Sequence, residues 1–231
     1  MANAIPKEMY HTLVTPAGQS EWSHLVEADT KWKENGEYKT NLIVSRDEAL
    51  KFISQLEAIK LAGLEFYKSE AEEEAKSKGR KAKVLNLCAQ DPWVENEDGT
   101  FTFKLKRDAK RLKDDGSIQE FQVVLLDSAG KVVPDAGREK FKNLGNGSVI
   151  RAKVTAYPYN SPMIGVGVTM RLEKVQVINF IEYVAGGGVD NDFESVDGGY
   201  LYTDGVDSDF AQGAASQGAP ASDNNGADLV V

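Results

Sequence analysis

Apolar and polar residues alternate with a period of two through much of the first 185 residues of this chain, a pattern that predicts strands. The clearest run is Tyr38-Lys39-Thr40-Asn41-Leu42-Ile43-Val44, entered through Gly36-Glu37. A similar pattern over 22–28 predicts a strand before it. At Ser45 the period changes. Ser45-Arg46-Asp47-Glu48 has the form of a capping box, in which serine and a glutamate three residues on satisfy the first free amides of a helix. Ile53, Leu56, Ile59, Gly63 and Tyr67 then recur at helical spacing and predict one helix over 46–76. A basic exit, Lys76-Ser77-Lys78-Gly79-Arg80-Lys81, follows it.

Beyond the helix the period of two returns. Strands are predicted over 100–107, 118–126, 148–157 and 164–183, the last long and bent near its middle. Turn signals separate them at 95–99, 114–116, 127–131 and 145–147, all rich in Gly, Asp and Asn. Tyr157-Pro158-Tyr159 is expected to form a stiff turn that holds two rings. Gly165-Val166-Gly167 predicts a strand that another backbone or a base approaches closely. Five or six short strands with one inserted helix give a mainly β fold, a small barrel with side decorations.

The alternation also sorts side chains into faces. Phe101, Phe103 and Leu105 share one face of their strand, Lys104 and Lys106 the other. Ile150, Ala152, Val154 and Ala156 point inward in theirs; Arg151, Lys153, Thr155 and Tyr157 point outward. Between these strands Arg107, Lys110 and Arg111 form a basic segment, which Lys113 extends. Cations that follow phosphates, combined with flat rings that stack on unpaired bases, are what binding of single strands requires. The expected contacts are Lys104, Lys106, Arg107, Lys110, Arg111, Arg151 and Lys153 on one shared basic face, with Tyr157 and Tyr159 as rings.

Charge sharpens this picture. The net charge of −9 argues against a nucleic-acid ligand when averaged over the chain. Yet nine acids and no Lys or Arg fall within 186–231, which leaves 1–185 with 27 bases and 27 acids. The composition breaks at Gly186-Gly187-Gly188 into Gly, Ala, Ser, Asn and Asp with scattered aromatics, predicting a disordered acidic tail over 186–231. Phe210 and the end Asp228-Leu229-Val230-Val231 set apolar groups among its acids, as a partner-binding segment would.

No apolar run reaches membrane-spanning length, and the N-terminus lacks the layout of a signal peptide. The single cysteine, Cys88, lies in an apolar run and is expected to be a packed thiol in a reducing cytoplasm. His11 and His24 have no partner at ligand spacing, and no phosphate-cradling loop or nucleophile elbow occurs. The expectation is a binding protein with no catalytic residue, metal or cofactor.

These residues resemble the podoviral gene-two-point-five single-stranded DNA-binding proteins and their relatives in other phages. The resemblance covers roughly 36–185. It runs through Gly36-Glu37-Tyr38-Lys39, Asp98-Gly99-Thr100, Phe103-Lys104 and Lys106, then Val123-Val124, Gly130-Lys131, Gly147-Ser148, Pro158-Tyr159 and Phe180-Ile181-Glu182. It implies an OB-fold barrel over 1–185 with the helix inserted between strands, and adds Lys39 to the DNA-binding set. It also implies partners: single-stranded DNA, phage polymerase and helicase-primase reached through the tail, and a homodimer, all in the cytoplasm of an infected bacterial host. Where the family pattern has tryptophan, this chain has Ser161, which leaves Tyr157, Trp32 or Trp93 to replace that ring. Trp32 and Trp93 are themselves expected to be buried.

Overall fold

The computed structural model describes residues 5–183. The strands are β1 (His11–Val14), β2 (Gly18–Asp29), β3 (Glu37–Val44), β4 (Trp93–Glu95), β5 (Phe101–Asp108), β6 (Lys110–Leu112), β7 (Ile118–Glu120), β8 (Val124–Leu126), β9 (Val149–Ser161) and β10 (Gly165–Asn179). One long helix, α1 (Arg46–Ser77), separates β3 from β4. A short helix, α2 (Asp135–Arg138), runs into a 3-10 turn at Glu139–Asn143. The predicted helix and its limits agree with α1 to within a residue.

β9 pairs β2, β2 pairs β3, β3 pairs β5, β5 pairs β10, and β10 returns to β9. These five strands close a ring, the OB-fold barrel expected from the sequence, with α1 inserted after its second strand. Within the ring only β5 and β10 run parallel, and one register pair, Lys106 opposite Arg171, closes that seam. β1, β4 and β8 lie outside the ring, on β9, β5 and β10 respectively.

Closure works because the inward faces supply interlocking apolar side chains. Leu42, Phe103, Leu105, Ile150, Val154 and Leu172 are fully buried there. Burying each such side chain contributes about 1.5–3 kcal/mol. α1 covers one end of the barrel with Ala49, Phe52, Ile53, Leu56 and Ile59. Phe52 meets Phe103 edge to face, centroids 5.3 Å apart. Farther along the helix Gly63 lies against Pro158, where a Cβ would come within 2.2 Å of the proline Cβ. Gly79, at φ +60, then ends the helix; its amide and that of Arg80 bond back to the Lys76 and Ala75 carbonyls.

Four local expectations need correction. Tyr157-Pro158-Tyr159 is no turn but the interior of β9, opposite Thr169, Val168 and Gly167. The amide and carbonyl of Ala152 bond toward Thr15, so even-numbered residues of β9 aim their backbone groups to the β1 side. The last β1 partner is Ala156, so the proline's missing N–H costs no ladder bond. The single strand predicted over 118–126 is two, β7 and β8, because Phe121 turns to give its amide to Ala109. The basic segment after Arg107 is partly strand, with β6 and β7 forming a small hairpin. At Ser45 no side chain caps the helix; its hydroxyl donates to the Glu48 carboxylate instead, at 3.2 Å. The predicted bend in the closing strand is present, as register shifts between Leu172 and Lys174 and between Val177 and Asn179.

Candidate nucleic-acid interface

The outward faces of β3, β5, β10 and β9 lie side by side around the closing seam. Lys39 stands opposite Lys106, and Asn41 opposite Lys104. Lys106 faces Arg171 across the seam, and Arg171 faces Thr155. Two hollows on this surface share Glu37, Lys106, Thr169 and Met170, and so form one groove. Gln90, Asp91, Pro92 and Tyr159 line one end; Lys33, Arg111, Phe121 and Tyr157 line the other.

The groove's walls include seven bases (Lys33, Lys39, Lys104, Lys106, Arg107, Arg111, Arg171) and three acids (Glu37, Asp91, Asp108). Most of the bases already hold carboxylates. Lys33 pairs with Asp108 and reaches Glu37 at 3.9 Å, and Lys106 reaches Glu37 at 4.0 Å. Lys39 holds Asp29. Hydrogen bonding to Asp108 raises the Lys33 amine above its ordinary value, and bonding from Lys39 lowers the Asp29 carboxyl. Glu173, the extra residue at the β10 bulge, accepts from Arg107, from Arg171 at 2.7 Å and from Thr155 at 3.1 Å. Burial alone would raise its carboxyl; the two arginines outweigh that and hold it below the usual range.

The two tyrosines differ in their support. Tyr157 is half-buried, its ring 5.0 Å from that of Tyr10, and burial raises its phenol. Tyr159 lies over Gly167, where a Cβ would come within 2.5 Å of the ring. Its hydroxyl donates to the buried Cys88 thiol at 3.6 Å, and burial pushes its phenol up to about 12. Both rings therefore stay neutral at physiological pH, so neither repels a polyanion. The segment beneath Tyr159 is fixed by Lys60, which donates to the Cys88 carbonyl and to Asp91, each at 2.7 Å. Gly165 admits the Asn86 backbone, within 2.4 Å of where its Cβ would lie, as the glycine pattern predicted.

Lys39, Lys104, Lys106, Arg111, Tyr157 and Tyr159 thus come together in the groove. The single shared basic face does not hold for the remaining residues. Arg107 has the parity of Leu105, opposite Tyr38, and only the end of its side chain reaches the groove. Its guanidinium lies over Phe121 at 4.9 Å and is bound to Glu173 and the Leu172 carbonyl. Lys110 is drawn to Glu120 at 3.0 Å and lines a different hollow. Arg151 and Lys153 are exposed and outward on β9, but lie beyond the groove. Trp32 is not buried; it is 85% exposed. Trp93 packs against the core but is only partly buried, short of the burial expected. The tail residues Phe210, Asp228, Leu229, Val230 and Val231 lie outside the described residues.

Arg171 was missed, although the same alternation in β10 places Thr169 and Arg171 outward between Val168, Met170 and Leu172. Lys33 and Phe121 reach the groove from irregular segments, where no periodicity signals them.

The family model for the single-stranded DNA-binding protein of bacteriophage T7 matches residues 19–180. The single-stranded DNA-binding protein of Enterobacteria phage T3 is 32% identical over 112 residues, 47% of this chain and 46% of that protein. Its counterpart in Escherichia phage T7 is 31% identical over 113 residues, 48% of this chain and 46% of that protein. The chain thus spans about half the length of the curated relatives it matches. The crystal structure of gp2.5, a single-stranded DNA-binding protein encoded by bacteriophage T7, aligns with a TM-score of 0.59. That alignment covers 84% of this chain and 100% of the other at 22% identity, a likeness of fold.

Proposed function

We propose that this chain, which belongs to the bacteriophage T7 single-stranded DNA-binding protein family, binds single-stranded DNA along the β3–β5–β10–β9 groove with little sequence preference. One observation carries this reading: a line of cations flanked at both ends by neutral tyrosine rings on one OB-fold surface. Phosphates take Lys104 and Arg111, which hold no carboxylate among the described residues, and then exchange with Glu37 and Asp108 for Lys106 and Lys33. Bases stack on Tyr157 and Tyr159, a contact that accepts any base because every base has a π-face. The role that follows is protection of the strand during phage DNA replication and recombination, in the cytoplasm of an infected bacterium.

The acidic segment 186–231 completes the proposal. Its nine carboxylates are joined to the body that carries the groove, which gives them an effective concentration on the order of millimolar there. Single-stranded DNA is the denser polyanion and displaces them, freeing Phe210 and Leu229-Val230-Val231 for a polymerase or helicase-primase.

Titration with oligo-dT, oligo-U and duplex DNA at two salt concentrations tests the reading. About four phosphate contacts give a slope of roughly −3 in log affinity against log salt. A slope near zero, or equal affinity for duplex, overturns it. Truncation after Gly188 should tighten binding at low salt and abolish partner binding; equal affinity of both forms at low salt removes the tail from the proposal.

A further inference from the structure

We infer that Trp32 is a third stacking platform, taking an unpaired base of the strand as it leaves the groove beyond Tyr157; the inference rests on the proposed DNA-binding groove. Trp32 stands in the β2–β3 loop and is 85% exposed. A tryptophan left this open forgoes the burial that usually holds the residue, and no part of the core uses it. The loop that carries it is nevertheless pinned. The Lys31 amide bonds the Asp29 carboxylate at 2.8 Å, and the Gly36 amide, at φ +72, bonds the Lys33 carbonyl at 2.8 Å. Lys33, the next residue, lines the groove and is tied to Asp108 on β5. Trp32 is therefore held beside the groove's Arg111 end. Lys31 sits over one face of its ring, 5.4 Å from the centroid, and Lys33 follows it, so a base would take the other face with cations close by for the adjoining phosphates.

The test uses the full chain and oligo-dT of increasing length. Trp32→Ala should weaken binding of long oligomers roughly tenfold, leave the shortest oligomer that binds unaffected, and leave the melting temperature unchanged. Trp32→Phe should restore most of the affinity while reducing the tryptophan quenching by the share that Trp32 contributes, Trp22 and Trp93 remaining. If wild type binds and quenches, but Trp32→Ala binds every length as tightly, the third platform is refuted while the groove stands. An equal loss at all lengths also refutes it, since Trp32 would then act within the central groove. If wild type fails to bind oligo-dT, the groove itself fails.

Discussion

Strand β9 alternates apolar-in and polar-out from Ile150 to Tyr159, yet the two ends of that run live in different surroundings. At the Tyr157–Tyr159 end, α1 closes over Pro158 through Gly63, Tyr10 packs on Tyr157, and the rings line the groove. At the Arg151–Lys153 end the outward residues face solvent, away from those walls. Identical patterning therefore fixes which way a side chain points but not what it points beside. Neighbourhood is set by barrel closure, which brings β5 and β10 against each other at Lys106 and Arg171.

The difference can be attacked most strongly at the packed end. Gly63→Val should drive a branched side chain into Pro158 and lower stability by about 3 kcal/mol in urea unfolding. Arg151→Ala with Lys153→Ala should change stability by no more than about 0.5 kcal/mol. Comparable losses from both variants would erase the contrast in packing.

Binding offers the next contrast. Tyr157→Ala should cost roughly 1–3 kcal/mol in affinity for oligo-dT. Tyr159→Ala should cost as much and also lower the melting temperature, because its ring packs on Gly167 and its hydroxyl on Cys88. Loss of stability without loss of affinity would assign the ring to the core alone.

Charge gives a smaller effect. Replacing Lys104 and Lys106 by glutamine should make the salt slope shallower by about 1.4, at ~0.7 per contact. The same change at Arg151 and Lys153 should alter it by less than half as much. Equal changes would merge the two ends of β9 into one binding surface.

The most modest expectation concerns pH. Glu173 titrates below its ordinary value of 4.5 in the folded chain, so its contribution to stability is present above that pH and disappears as pH falls through the folded value. Glu173→Gln should therefore show a flatter acid limb in thermal melts below about pH 5. An unchanged limb would mean that Arg107 and Arg171 do not depend on this carboxylate.

The barrel was legible because its main strands alternate cleanly and its helix repeats apolar residues at helical spacing, with Lys60 the charged residue on the buried face. Lys104, Lys106 and Tyr157 followed from the same parity, and Lys39 from the family resemblance. What failed to read depended on contacts distant in sequence. Arg107 already has the inward parity of Leu105, but the carboxylate that claims it, Glu173, arrives 66 residues later at a bulge. Lys110 is claimed by its hairpin partner Glu120, and β1 is too short for a period to show. Pro158 looked like a turn because proline usually breaks a ladder; it sits within β9 only because β1 ends at Ala156 and α1 offers a glycine.

The seam between β5 and β10 has a thermodynamic consequence. A barrel is held by every joint in its ring, and this joint has a single register pair, with two cations facing each other across it. Glu173 and Glu37 offset these charges only from the side, and with so few ladder bonds the ring should open here more readily than along β3–β5 or β9–β10. In the proposed complex a polyanion bridging Lys106 and Arg171 would act as a clasp across this joint. Ligand occupancy and barrel closure then become one linked equilibrium, worth about 2.7 kcal/mol at a free strand concentration of 100 Kd. Hydrogen exchange should register it as slowed opening of the amides flanking 106 and 171, with the β3–β5 ladder far less affected.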